Sequence, residues 1–165
     1  MIEAILWLVI NLYHEARGEP IEAQIAVACA TLNRAGWKLE NVPDVIQAQK
    51  QFSWTSDRRK MAQARQLVRE YRIPEEMKGL LKIARKALNT PHYNRTALTH
   101  YKAITATSTW GCWPGGVTTT VFPGSGHIFC GDKDVVKPGA TPAYIGQRAL
   151  RRKARAKREL DIGGC

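Results

Sequence analysis

Tyr13-His14-Glu15-Ala16-Arg17-Gly18-Glu19-Pro20 is the stretch on which the fold turns. It joins two segments with helical apolar spacing. Upstream, from Ile2 to about Ala16, Ile5, Leu8, Val9, Leu12 and Tyr13 recur on one helix face. Downstream, Pro20 suits a first helical position, and Ile21, Ile25, Ala28, Cys29 and Leu32 make a core-facing stripe to about Ala35. Gly18 is placed to end the first helix and Gly36 the second. Two carboxylates and an arginine therefore crowd the junction of two helices. A glutamate held there against apolar residues has its pKa raised by desolvation. That suits a general acid at neutral pH. An ordinary surface turn with a Glu–Arg pair fits the same spacing.

Working outward, Val42 to Ile46 reads as a short helical turn. Asp57 can cap a helix through Tyr71, and Pro74 opens another that ends near Asn89. After Pro91 the character changes. Ala97 to Thr107 and Val117 to Phe122 are rich in Thr, Val, Ile and Tyr, and His127 to Cys130 suits a third short strand. Gly111 and Gly115-Gly116 supply turns. The expected class is α+β: a mainly helical domain with a small antiparallel sheet in the C-terminal half. Residues 1–142 read as one catalytic domain and 143–165 as a basic helical tail.

At 165 residues the chain can bury a core without staples. With 44% hydrophobic and 24% charged residues, wholesale disorder, a coiled coil and a fibre are excluded. The longest early apolar run, Ala4 to Ile10, is far short of the roughly 20 residues of a membrane span. The first basic residue, Arg17, follows that run, so no secretory signal is expected. The net charge of +11 points to a polyanionic partner. From Ala143 to Cys165, seven basic residues face two acidic ones, a net +5 that leaves +6 on the body. The tail therefore suits an anionic envelope surface. Cys29, Cys112, Cys130 and Cys165 are too scattered for a disulfide scaffold, and reduced thiols are expected. Cys112 and Cys130 are a candidate pair outside the cytoplasm.

Other segments carry weaker signals. Gln51-Phe52-Ser53-Trp54, in a Gln-rich run, offers amides for sugar hydroxyls and aromatic faces for sugar rings. Aromatics plugged into the core fit the same letters. His14-Glu15 begins like H-E-x-x-H, but position 18 is glycine and the second zinc ligand is missing. His100, His127, Cys112 and Cys130 lack zinc spacing, so neither metal nor cofactor is expected. Phosphate-binding loops, a dinucleotide fingerprint and a nucleophile elbow are missing too. No nucleic-acid reading module accompanies the charge, so no specific nucleic acid is expected.

Taken in order, the segments resemble the cell-wall hydrolase family typified by the spore cortex-lytic enzyme. Tyr13 to Glu19 is followed by Gln24, Ala26 to Ala28, Leu32-Asn33-Arg34, Val45-Ile46, Gln51 to Trp54, Thr99-His100-Tyr101, and Gly126-His127 before Phe129. This ordered set spans roughly residues 5 to 130. The resemblance implies a lysozyme-like domain that cleaves peptidoglycan glycan strands, often as a lytic transglycosylase. It implies that Glu15 is the catalytic acid. It places Gln24, Gln51, Phe52, Ser53, Trp54, Tyr101 and His127 at or near the substrate, with Arg17, Glu19 and His100 in support. His14 departs from the small residue many members carry, and the tail has no counterpart.

The resemblance further implies that one carboxylate can serve, with a 1,6-anhydro product. A water-using muramidase would want a second carboxylate, for which Glu19 is the nearest candidate. Gly18-Glu19-Pro20 breaks the helix between them, so Glu19 is expected to support the turn instead. A wall amidase and a basic nucleic-acid-binding protein are the alternatives. A compact wall-lytic enzyme without a signal peptide looks like a bacteriophage endolysin: a monomer made in the host cytoplasm and acting on the wall after release through a separate pore.

Overall fold

The computed structural model describes residues 1–49, 51–89, 98–104 and 116–132. Five helices lie in chain order: α1 (Ile2–Ala16), α2 (Ile21–Arg34), α3 (Val42–Gln47), α4 (Arg58–Arg69) and α5 (Lys78–Leu88). Three strands follow: β1 (Leu98–Ala103), β2 (Gly116–Val121) and β3 (His127–Asp132). They form one antiparallel sheet in the order β1-β3-β2. Among the described residues the protein is α+β, helical first and sheet last. The expected tail, the boundary at residue 142, Gly111 and Gly115 lie outside the described residues. Among those described, no helix is long and apolar enough to cross a membrane.

Helix α1 is the centre of the helical layer and packs against the other four helices. It buries Leu6, Trp7, Leu8, Val9, Ile10, Asn11 and Leu12, so its apolar surface runs nearly all round rather than along a stripe. Helix α2 is likewise buried from Ala23 to Arg34, with Ile21 left exposed outside the expected stripe. It is the floor on which the sheet sits: α2 touches α1 on one side and β1 on the other.

The ends of the elements follow from local chemistry. Asp57 caps α4 by accepting from the N–H groups of Arg59 and Lys60. Gly36 (φ +62°) ends α2, and the N–H of Trp37 reaches back to the Leu32 carbonyl at 2.9 Å. Gly18 does not adopt a left-handed conformation. The turn after α1 closes instead through Glu19 N–H donating to the Ala16 carbonyl at 3.0 Å.

Asn33 fixes the sheet to the helices. Its Nδ2 donates to the Leu98 carbonyl at 2.8 Å, and its Oδ1 accepts from Trp37 Nε1 at 2.7 Å. Both Asn33 and Leu98 are buried. Cys29, free in the core of α2, has its thiol pushed up to about 12 by burial, so it stays protonated and inert. Cys130 departs from the expectation of reduced thiols: it is disulfide-bonded, to a partner outside the described residues.

Asn33→Ala would orphan a buried carbonyl and an indole N–H together. The expected cost is about 2–4 kcal/mol, read as a fall of several degrees in Tm by thermal denaturation.

Candidate active site

The site grows from the end of α1. Glu15 stands in its last turn, with its carboxyl facing the sheet. Tyr101 Oη, from β1, donates to Glu15 Oε2 at 3.2 Å. Glu15 Oε1 is buried and has no hydrogen-bond partner among the described residues. Burial pushes the Glu15 carboxyl above the usual carboxylate range. The Tyr101 hydrogen bond, the charges of His127 and Arg34, and the nearby Ser53 hydroxyl pull the other way without cancelling it.

Arg34 closes the site from below. It sits at the end of α2, is itself buried, and lies 5.2 Å over the Phe52 ring and 6.0 Å from the Tyr101 ring centre. Burial lowers its pKa, while Tyr101 and Glu15 oppose that. A guanidinium keeps its charge under such pressure. Tyr101 is driven well above an ordinary phenol by burial and then by the Glu15 charge, so it stays a neutral donor.

Glu19 has the opposite environment. Its Oε2 accepts from Ser125 Oγ at 2.6 Å and from the Gly126 N–H at 2.9 Å. Its Oε1 lies 3.2 Å from His127 Nδ1, close enough for a charge contact but out of line for a hydrogen bond. Ser125 Oγ in turn accepts from the His127 N–H at 3.0 Å. A Cβ on Gly126 would meet Glu19 Oε1 at 3.2 Å, so glycine is what lets the carboxylate seat this closely. Burial alone would raise the Glu19 pKa. The Ser125 and Gly126 hydrogen bonds, together with His127, outweigh it and hold the group below the usual range. Glu19 thus supports the turn, and both of its oxygens are engaged.

The remaining expected site residues divide. Tyr101 and His127 join Glu15, packing edge to face at 5.3 Å, and Ser53 lies beside it on the exposed side. Gln51 is half-buried where the chain enters this segment. Gln24 spends its Nε2 on the Glu19 carbonyl at 2.9 Å and so braces the turn. Phe52 and Trp54 are each only 3% exposed, so neither offers an open face to a sugar. Phe52 carries Arg34. Trp54 donates Nε1 to Asn11 Oδ1 at 2.9 Å and stacks on His14 at 4.5 Å. Burial first, then Lys60 and Arg17, lower the His14 pKa and favour a neutral ring there. Arg17 is exposed and lies 4.8 Å over Tyr13. His100 alternates with Tyr101 along β1 and therefore faces away from Glu15.

Three contributors were not singled out from the sequence. Asn11 is a fully buried amide within the apolar run of α1 from Ala4 to Leu12, and its Nδ2 also donates to Thr31 Oγ1 at 3.2 Å. That one polar residue inside the stripe was the available signal. Arg34, a charge that ends the mostly apolar run from Ile25 to Leu32, was another. Ser125 carried no signal. Among the described residues, His, Cys, Asp and Glu do not gather in groups of three that could hold a metal ion.

Because the Glu19 pKa is depressed, the stability it contributes is present above the ordinary glutamate pKa and is lost as pH falls through the lower folded value. Glu19→Gln should lower Tm at pH 7, and the gap to the parent should close as the solution is acidified. A gap that stays constant across pH would show that the carboxylate charge is not what matters.

The sequence model of one protein family, described as Cell Wall Hydrolase, matches residues 18–130. No curated protein and no solved structure matches the chain significantly. The matched span starts three residues after Glu15, so the role of that residue rests on its surroundings. It takes in Glu19, the α2 floor with Arg34, the segment of Phe52 to Trp54, β1 with Tyr101, β2, and β3 from His127 to Cys130. Covering more than half of the sequence, the match establishes that the chain belongs to the cell wall hydrolase family.

Proposed function

We propose that the protein cleaves the glycan strands of peptidoglycan between N-acetylmuramic acid and N-acetylglucosamine, as a lytic transglycosylase with Glu15 as its one catalytic carboxyl. The observation that carries this reading is the state of Glu15: a buried carboxyl with a raised pKa, one oxygen held by Tyr101 and the other without a partner among the described residues. A carboxyl that keeps its proton towards neutral pH is in the state that a donor to a glycosidic oxygen needs.

Glu15 gives its proton to the glycosidic oxygen, and the bond from that oxygen to C1 breaks with its electron pair. The oxocarbenium character at C1 is relieved by the substrate's own acetamido group. The new carboxylate is steadied by the Tyr101 hydroxyl and by the positive charges of Arg34 and, when protonated, His127. It then takes the proton of the C6 hydroxyl, whose oxygen closes on C1. The product is a 1,6-anhydro sugar, and Glu15 is again protonated. Glu19 favours this route over hydrolysis, because its oxygens already serve Ser125, Gly126 and His127 rather than a water. A water attacking C1 would make the same site a muramidase.

A site of action in the wall layer is the reading we favour, since a Cys130 disulfide would persist there. Lysis of a phage host is the use we infer, with the net charge of +11 favouring the anionic envelope.

Glu15→Gln should reduce lysis of purified walls by about a thousandfold or more, since one group acts as both acid and base. Its circular dichroism should be unchanged. Mass spectrometry of the parent's digest should show anhydro ends; reducing ends would mean hydrolysis, and free peptides an amidase. The same variant carries a stability signature. A raised pKa means that stability is lost as pH rises through the folded value. Glu15→Gln should therefore melt higher than the parent at neutral pH, with the advantage fading in acid. Tyr101→Phe removes a bond that favours the ionised carboxyl. The alkaline limb of its pH–rate profile should move to higher pH, with activity down about tenfold.

A further inference from the structure

A groove of about 420 Å³ lies away from Glu15, lined by Glu3 and Trp7 of α1, Gln47 of α3, and Arg65, Val68 and Arg69 of α4. Helix α4 runs back along α1. Lys60 and Asp57 at its start act on His14, while Arg65 and Arg69 near its end lie beside Glu3 and Trp7. Eight residues of α1 separate Trp7 from Glu15, a rise of about 12 Å. The groove and the candidate active site thus lie along one central helix.

Four features of the groove point to a ligand. Trp7 is buried, and its Nε1 donor has no hydrogen-bond partner among the described residues, an unusual state for an indole. Arg65 and Arg69, four apart and exposed, share one face of α4 and make no ion pair among the described residues. Arg65 makes one weak contact, Nε to Gln47 Oε1 at 3.4 Å. The segment from Asp57 to Asn89 holds ten basic and four acidic residues, a net +6 that equals all the charge left after the tail is set aside. The body's positive charge is therefore concentrated on α4, α5 and their connection.

The composition of the groove selects among anions. Two guanidinium forks fit carboxylates or phosphates. Glu3 at the rim would repel a polyphosphate but attract an amine. Trp7 and Val68 offer apolar contact that a bare phosphate cannot use, and Gln47 offers hydrogen bonds of peptide kind. We propose that this groove is a second binding site, for a short peptide bearing both free carboxylates and an amine: the peptide side chain of the wall polymer whose glycan Glu15 cleaves. The proposal rests on the peptidoglycan reading above. The groove holds the peptide and contributes no chemistry to cleavage.

The test uses the full chain carrying Glu15→Gln, so that nothing is turned over. A synthetic alanyl-glutamyl-lysyl-alanine tetrapeptide of wall chirality is titrated in while the assigned Trp7 indole N–H is followed by NMR. The expected result is a saturable Trp7 shift, at least tenfold weaker when Arg65→Gln and Arg69→Gln are added. It should be equally weakened when the peptide's carboxyls are amidated. No Trp7 shift, equal binding of the amidated peptide, or a shift with inorganic phosphate and none with peptide would each overturn the proposal. In parallel, an otherwise unaltered Arg65→Gln, Arg69→Gln variant should cleave peptide-free glycan as the parent does and intact walls about fivefold more slowly. A parent that cleaves neither substrate would defeat the glycosidase reading, while the titration still decides the groove on its own.

Discussion

The carboxylate of Glu19 joins the two halves of the chain. It lies in the turn between α1 and α2, and it grips the turn between β2 and β3 through Ser125, Gly126 and His127. Three polar groups from one tight turn converge on a single side chain, and a Cβ at 126 would press on that carboxylate at 3.2 Å. The second tie, from Asn33 to the Leu98 carbonyl, holds the other edge of the sheet on α2. Together they set β1 and β3 over the end of α1, where Tyr101 and His127 can face Glu15. A charge-assisted hydrogen bond is among the stronger polar contacts a protein makes. Placed here, it fixes geometry for a neighbour four residues away.

The two glutamates show how one short segment gives two chemistries. Glu15 loses more water than the Tyr101 hydrogen bond and the nearby Ser53 hydroxyl make good, so its neutral form is favoured. Glu19 also loses water, but receives a hydroxyl, a backbone N–H and an imidazole contact, so its charge is favoured. The difference lies in how deeply each carboxyl is buried and in the donors the fold aims at it, not in the residue type. Beneath Glu15 the ring of Phe52 supports Arg34, and the indole of Trp54 is anchored to Asn11. These buried aromatics keep the cation and the helix end in place.

Much of this was legible in the residues. Asp57 named its helix because an acidic cap before a basic, amphipathic run has few other uses. Gly36 marked the end of α2, and the Thr- and Val-rich segments marked the strands. What escaped were properties that only packing decides. A stripe in α1 was readable, but its burial on every side follows from its being surrounded by four helices. Phe52 and Trp54 could equally have met sugar or core, and nothing in their spacing chose; burial at 3% did. Gly18 looked like a left-handed cap, yet the turn closed through Glu19 and Gln24 instead. His100 and Tyr101 are adjacent letters, but a strand sends them to opposite faces.

The sheet order has a consequence for the life of the chain before it is an enzyme. The middle strand, β3, is the last of the three in sequence. Tyr101 meets Glu15 across 86 residues, and Ser125 meets Glu19 across 106. Such distant closures are slow, because their entropy must be spent before any contact is gained. While the helices are already made and β3 is still emerging from the ribosome, Glu15 is an ordinary wet carboxylate. The surroundings that raise the Glu15 pKa are therefore complete only when β1 and β3 have closed over the end of α1.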